Sequence, residues 1–187
     1  MRNSLVLILV LLAVPAWAAD KGRVAALHGT LTINGKPAKA GTPVAEGDAL
    51  ATGVTTTVDV VMESGVRFRL YDKTKLTIPG DSRSSPFKLW VGRILSIVTP
   101  GRPFSVAGLT AVAGVRGTTF FVESQPEKRT YICICKGKLH LSGIDGKDQG
   151  EVASEHHAAV TVDNASREKS GMFGHTDKDI DELAAAK

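Results

Sequence analysis

Cysteine, aromatic residues and long apolar runs are all scarce in this sequence. Its 187 residues include only two cysteines, and phenylalanine, tryptophan and tyrosine together make up 5%. Two cysteines close at most one intramolecular disulfide, so the chain is not a disulfide scaffold and its fold depends on a packed core. The strongest apolar run, residues 5–14, is far shorter than the roughly 20 residues that a membrane-spanning helix needs.

A strong charge imbalance and the common catalytic motifs are missing as well. The net charge is +4, from 23 Lys and Arg against 19 Asp and Glu, and the charges are scattered along the chain. This pattern gives no basis for nucleic-acid binding. The sequence contains no G-x-S-x-G, H-E-x-x-H or phosphate-binding loop. We therefore expect a protein that is not an enzyme and that does not bind nucleic acid.

The N-terminus has the three parts of a secretory signal peptide. Arg2 precedes the apolar run of residues 5–14, and the small-x-small sequence A-W-A follows at residues 16–18. This arrangement predicts a signal peptide over residues 1–18, cleaved after Ala18, and a periplasmic or secreted mature protein. An uncleaved signal segment would be the protein's one expected link to a membrane.

Short apolar runs separated by turn residues fill most of the remaining sequence. Val66–Leu70 alternates strictly, which predicts apolar side chains facing inward and arginines facing outward. Asn34-Gly35 and Lys136-Gly137 are predicted to form tight hairpin turns. The spacing predicts an all-β sandwich or roll of many short strands. The predicted strands are residues 24–27, 30–33, 57–62, 66–71, 75–78, 87–91, 93–98, 104–106, 118–122, 131–135 and 138–141.

The C-terminal sequence changes to a helical pattern. Thr176 is a suitable N-cap, and Ile180 and Leu183 share one face of a short helix predicted from about residue 177 to residue 186. The polar residues 164–171 are predicted to be a linker.

Several motifs through the middle of the chain resemble those of the FecR domain, a β-rich periplasmic module. They are GDALATG at residues 47–53, VRGTTF at residues 115–120 and GKL at residues 137–139. The resemblance extends over roughly residues 22–142. We therefore divide the chain into the signal peptide, a FecR-like β domain over residues 19–145 and a histidine-containing extension over residues 146–187.

The resemblance implies an extracytoplasmic domain that senses or binds in signalling, with a protein or an envelope-associated ligand as its partner. Founding members of the family regulate a sigma factor through a cytoplasmic segment ahead of a membrane span. This sequence has a signal peptide in that place, so we expect the periplasmic module without the anti-sigma segment. The expected function is thus a non-catalytic binding, sensing or scaffold module.

The VRGT motif has a physical interpretation of its own. Gly117 supplies a backbone conformation or a close approach that a β-carbon would block, and Val115 and Phe120 are expected to enter the core on either side of Thr118. Arg116 carries a planar fork of five donors. This side chain either braces two strands internally or contacts a ligand or partner.

The two cysteines, Cys133 and Cys135, lie on one face of a predicted strand, which they share with Tyr131. Their β-carbons should be roughly 6.6 Å apart, whereas a disulfide needs about 4 Å. A disulfide between them is therefore not favoured. Three uses remain open, which are metal ligation, inert thiols in the core, and redox or intermolecular disulfide chemistry.

Histidines of the extension could complete a metal site with the cysteines. Two Cys and two His form a standard tetrahedral set, so Cys133 and Cys135 with His156, His157 or His175 could hold one zinc or iron ion. Adjacent histidines on a strand point to opposite faces, so one of His156 and His157 is expected to serve. Burial of the alternate residues that follow favours His156 slightly. A metal-binding protein is therefore the alternative function.

Overall fold

The computed structural model describes residues 21–164 and 166–187, so the predicted signal peptide lies outside the described residues. Within those ranges the chain forms sixteen strands and one helix. The strands are β1 Lys21–His28, β2 Leu31–Ile33, β3 Lys36–Ala38, β4 Pro43–Ala45, β5 Ala49–Thr52, β6 Thr57–Met62, β7 Arg67–Leu70, β8 Lys75–Thr77, β9 Phe87–Ile97, β10 Pro103–Ala107, β11 Ala111–Arg116, β12 Thr119–Gln125, β13 Arg129–Gly143, β14 Asp148–Ser154, β15 Ala158–Val162 and β16 Arg167–Ser170. The helix, α1, is Asp177–Ala185.

Two long strands, β9 and β13, connect two sheets. The first sheet has the order β4-β1-β6-β7-β9-β12-β13-β15-β16, and the second has the order β3-β2-β5-β8-β9-β10-β11-β13-β14. The N-terminal part of β13 pairs with β12 and β15, and its C-terminal part pairs with β11 and β14. The predicted all-β class with a short C-terminal helix is confirmed.

Alternation along the strands divides the apolar side chains between two clusters. Phe120 and Val122 belong to the main core, whereas Phe121 points to the opposite face of the first sheet. That opposite face carries a second buried cluster, called here the outer cluster. Its buried members are Tyr71, Leu95, Phe121, Tyr131, Cys133, Cys135, Ala159 and Leu183. The protein therefore buries both faces of the first sheet where β9, β12, β13 and β15 lie side by side.

The structure corrects one of the two predicted hairpin turns. Asn34-Gly35 has positive φ angles of 52° and 76° between β2 and β3, as predicted. Lys136-Gly137 lies inside β13 instead of ending a strand. Gly137 takes a φ of 114° at the point where β13 changes its pairing partners, so its freedom bends one long strand.

The C-terminal region contains a strand where the sequence predicts a linker. Residues 164–171 include β16, which pairs with β15, so that prediction is wrong. The predicted helix is confirmed, and Thr176 caps it in a capping box with Asp179. In the part of the chain that the structure describes, no helix is both long and apolar enough to cross a membrane.

Arg69 corrects the expectation that arginines of β7 face solvent. It points to the outer face of the first sheet, as the alternation predicts, but its side chain is only 8% exposed. Its guanidinium forms two bonds to Asp59 on β6, at 2.7 and 2.9 Å, and ion pairs with Asp179 and Glu182 of α1 at 3.0 and 2.9 Å. The helix covers Arg69, and sequence alternation carries no information about such a cover.

Candidate metal centre

Two cysteines and two histidines converge on the outer face of the first sheet. The ligand-type atoms of Cys133, Cys135, His157 and His175 all lie within 4.8 Å of one another. Cys133 Sγ is 3.5 Å from His157 Nδ1, and Cys135 Sγ is 3.2 Å from His175 Nε2. In a tetrahedral zinc site the sulfur and nitrogen ligand atoms are roughly 3.6 Å apart. The four atoms are therefore spaced as ligands of one ion would be.

The cysteines are fixed by their position inside the sheet. Cys133 pairs with Phe121 of β12 on one side and Ala159 of β15 on the other. Cys133 is fully buried, Cys135 is 3% exposed, and both are free thiols. Side chains two positions apart on a strand point to the same face, so both sulfurs project from one face of β13.

The turn that follows β14 brings His157, and not His156, to the cysteines. His157 takes a left-handed φ of 46°, and its backbone N–H donates to the carbonyl of Cys135 at 3.2 Å. The strand β15 begins only at Ala158, so strand alternation does not apply to the two histidines. His156 is exposed. The slight preference for His156 is therefore wrong.

His175 reaches the cysteines from the residues that precede α1. Its ring stacks on Phe121, with ring centroids 4.5 Å apart and an angle of 17° between the planes. The residue is 5% exposed. His140, which follows the cysteines closely in sequence, lies on an exposed part of β13, beside Asp148 at 3.3 Å.

Hydrogen bonds to the second nitrogen fix both imidazole tautomers. Nε2 of His157 lies 2.8 Å from a carboxylate oxygen of Asp177, and Nδ1 of His175 lies 3.2 Å from the carbonyl oxygen of Phe173. Carboxylates and carbonyls only accept, so these two nitrogens carry the protons. The nitrogens that face the sulfurs are therefore unprotonated in the neutral rings. Metal-ligating histidines are oriented by the same kind of partner.

The metal-free thiols influence each other's ionisation strongly. A hydrogen bond from the Cys135 thiol lowers the pKa of Cys133 well below its usual value, and burial only partly offsets this effect. The same interaction raises the pKa of Cys135, and burial adds to the rise. Burial lowers the pKa of His157, but the contacts with Asp177 and Cys133 outweigh it and the pKa is raised. Without a cation, the pair thus holds one negative charge readily and a second only with difficulty.

This coupling makes a prediction for the reduced, metal-free protein. We expect one thiolate per chain at about pH 7, where an ordinary cysteine with a pKa of about 8.5 is mostly protonated. A lowered pKa stabilises the folded state at pH values above the unfolded pKa, and this stabilisation is lost as the pH falls through the folded pKa. Thiolate ultraviolet absorbance against pH measures the effect. In Cys135→Ala, which removes the donor, the titration of Cys133 should move up toward the ordinary value. Two thiols that titrate together near that value would contradict the prediction.

The VRGT motif lies away from this cluster, where β11 ends. Val115 and Phe120 are buried in the main core, and the Thr118 hydroxyl donates to the carbonyl of Lys138 at 2.6 Å. Gly117 has a φ of 85°, and an added β-carbon would lie 2.5 Å from Cα of Pro100. The backbone conformation and the close approach at this position both require glycine.

Arg116 is exposed and lines an open cleft with a volume of about 740 Å³. Ser105, Gly114, Lys138 and His140 also line this cleft. Within residues 21–164 and 166–187, the Arg116 side chain has no hydrogen-bond or ion-pair partner. The position therefore suits contact with a ligand better than an internal brace.

A pair of neighbouring substitutions separates these two roles of the motif. We expect Arg116→Ala to change the free energy of unfolding by less than about 0.5 kcal/mol, because the side chain has no partner to lose. Gly117→Ala should cost at least about 1 kcal/mol, through its positive φ and the contact with Pro100. Urea denaturation of both variants beside the wild type measures the difference. An Arg116→Ala cost equal to that of Gly117→Ala would restore the brace interpretation.

The overall all-β architecture is shared with known crystal structures. Two crystal structures of a provisionally assigned anti-sigma factor from Parabacteroides distasonis ATCC 8503, at 1.65 and 2.50 Å resolution, share its fold. Their TM-scores are 0.53 and 0.54, each at 18% sequence identity and over 65% of this chain. The chain spans 58% of the length of those proteins, so the likeness is one of fold.

The chain contains a domain of the FecR family. Residues 48–140 match the family model described as FecR protein. The match includes the VRGT motif and both cysteines, while His157 and His175 follow it in the chain. No curated protein matches the chain. The family is one of signalling proteins. The candidate metal centre combines the two cysteines inside the matched region with two histidines that follow it.

Proposed function

We propose that this FecR-family protein is an exported, non-catalytic binding and sensing module that holds one zinc ion. Cys133, Cys135, His157 and His175 are the proposed ligands. The observation that carries the proposal is the convergence of their four ligand atoms within 4.8 Å. Two thiolates and two neutral imidazoles are a standard tetrahedral zinc set.

The burial of the cluster supports a structural or sensing role over a catalytic one. Catalytic zinc sites use three protein ligands and leave a position open to water, whereas structural sites are closed by four. Here four ligands are available, and three of them belong to residues that are 5% exposed or less. Iron(II) in the same tetrahedral site is the alternative metal, because sulfur and imidazole donors suit both ions.

The proposed export also supports metal ligation of the thiols. Reduced cysteines are uncommon outside the cytoplasm, where thiols usually pair. Cys133 and Cys135 lie two positions apart on β13 and do not pair in the structure. A bound metal ion would keep both sulfurs deprotonated and protect them from oxidation.

The binding role has a candidate surface in the Arg116 cleft. Its unpaired guanidinium and the neighbouring Lys138 suit a carboxylate or another anion on a protein or envelope ligand. This surface shares no residue with the four proposed metal ligands. Ligand binding at the cleft and metal binding at the cysteines can therefore be tested separately.

Elemental analysis of the exported protein tests the metal proposal. The protein is to be purified without a polyhistidine tag, under reducing conditions, from cells grown with ordinary trace metals. We expect one zinc per chain and two thiols that a thiol reagent modifies only after metal removal. Protein with two reduced thiols and no stoichiometric zinc or iron would contradict the proposal.

A further inference from the structure

The last seventeen residues cover the outer cluster. This C-terminal segment, residues 171–187, contains Phe173, His175 and α1. The ring of Phe173 packs against Tyr131 at 3.9 Å between centroids, and His175 stacks on Phe121. Leu183 of α1 is fully buried in the same cluster. The segment is therefore what keeps this face of the first sheet out of water.

Four contacts fasten the segment, and one of them is the pairing of His157 Nε2 with the Asp177 carboxylate of α1 at 2.8 Å. The Tyr131 hydroxyl donates to the carbonyl of Gly171 at 3.0 Å and accepts from the N–H of Phe173 at 3.1 Å. Arg69 pairs with two carboxylates of α1. Between these two attachments, His175 meets Cys135. The attachments through His175 and His157 are the two that involve proposed metal ligands.

The helix itself has little to hold it in place. It is nine residues long, and isolated helices of that length are not stable in water. Leu183 is its one buried residue. The attachment through Arg69 is partly open to water, because the Glu182 side chain is 47% exposed. The docking of α1 therefore depends strongly on how firmly the residues before it are anchored.

We propose that metal occupancy controls the docking of the C-terminal segment, and that metal loss uncovers the outer cluster and Arg69 as a surface for an acidic amphipathic helix of a partner protein. The inference rests on the proposed metal site. With metal bound, His175 is tied to two sulfurs of β13 and to His157. Without metal, the polar link from His175 to β13 is the contact of its Nε2 with Cys135 Sγ at 3.2 Å, and the segment separates from the sheet.

The segment itself indicates the chemistry of the partner. When it leaves, the Arg69 guanidinium keeps its two bonds to Asp59 but loses both carboxylates of α1. The apolar face beside it loses Leu183. A partner helix with a carboxylate one turn before or beside a leucine restores both contacts, as Asp179, Glu182 and Leu183 do in the chain itself. Charge complementarity to Arg69 thus selects an acidic helix.

The test uses the full chain and a labelled synthetic peptide of residues 171–187 as the probe. Zinc content is measured first in every sample. We then follow amide hydrogen exchange and peptide binding, with zinc bound and after removal of zinc by a chelator under reducing conditions. On zinc removal we expect residues 177–185 to exchange at least about tenfold faster, while β6 stays protected. The peptide should bind the zinc-free form at least about tenfold more tightly than the zinc form.

Two variants keep the result interpretable. His175→Ala in the chain should expose the surface without a chelator, and continued protection of β6 shows that the variant is folded. A peptide with Glu182→Lys and Leu183→Asp is the matched control and should not bind. Equal binding of that control peptide would overturn the partner chemistry.

The experiment distinguishes loss of metal control over docking from absence of the metal site. If zinc binds one to one and exchange of residues 177–185 is the same with and without it, control of docking by metal is overturned and the metal site stands. If the reduced protein binds no zinc or iron, the metal site is overturned, and the inference falls with it.

Discussion

Cys133→Ala should lose stoichiometric zinc and weaken the apparent zinc affinity by more than about a hundredfold. Structural zinc sites owe about 10–16 kcal/mol of apparent binding free energy to four ligands, so the loss of one thiolate removes a large share. The alanine also leaves His157 Nδ1, now 3.5 Å from Cys133 Sγ, without a partner. Competition against a chromophoric zinc chelator measures the affinity, and elemental analysis measures the stoichiometry.

His156→Ala is the matched control for this prediction. His156 adjoins His157 in sequence, with ring centroids 4.5 Å apart, but it is exposed and lies outside the group of four. We expect this variant to keep one zinc per chain with affinity within a few fold of the wild type. Retention of full affinity by Cys133→Ala, or equal losses in the two variants, would show that the four residues are not the ligands.

Cobalt substitution gives an independent reading of the same site. Co²⁺ in a tetrahedral site with two sulfur and two nitrogen ligands gives intense visible bands and sulfur-to-metal charge transfer in the ultraviolet. We expect both features in the wild type and His156→Ala. Weak bands typical of a hexacoordinate ion would contradict a closed tetrahedral centre.

Strand periodicity explains why half of the candidate site could be predicted from sequence. A period of two places Tyr131, Cys133 and Cys135 on one face whatever the rest of the fold does. The outer cluster shows that this face is the one opposite the main core. No local pattern indicates which distant residues cover that face, so His175 could be proposed only by its residue type.

The choice between His156 and His157 depends on one backbone angle. The prediction treats the two residues as parts of a strand, but the turn at residues 155–157 gives His157 a left-handed φ of 46°. That conformation is uncommon for residues other than glycine, and here the N–H of His157 donates to the carbonyl of Cys135. The partners of the two rings, Asp177 and Phe173, also depend on the folded course of the C-terminal segment.

The sequence holds a weak signal for the buried ion pair between Asp59 and Arg69. Asp59 interrupts the apolar run of β6, and Arg69 lies directly opposite it on β7. Opposite charges at paired positions of two strands predict an ion pair. Their burial follows only from α1, whose Asp179 is 110 positions away from Arg69 in the chain.

We expect the second large effect, a loss of folding stability, when the buried ion-pair network around Arg69 is broken. Arg69→Met should lower the free energy of unfolding by about 3–5 kcal/mol, because it leaves the Asp59 carboxylate buried without a compensating charge. The Asp59 side chain is only 8% exposed. Urea denaturation in the presence of saturating zinc measures the change, since a constant ligand excess keeps the contribution of metal binding equal in all variants.

Arg67→Met and a double variant complete the experiment. Arg67 lies two positions away on the same face of β7 but is more exposed and pairs with none of the acidic residues of α1, so its loss should cost less than about 1 kcal/mol. Arg69→Met combined with Asp59→Leu should recover most of the lost stability, because no lone charge then stays buried. If the double variant is as unstable as Arg69→Met alone, the cost comes from lost packing around Arg69 and not from an unpaired carboxylate. If the double variant recovers its stability but its residues 177–185 exchange faster, the sheet tolerates the loss of Arg69. The role of Arg69 is then to hold α1 against the sheet.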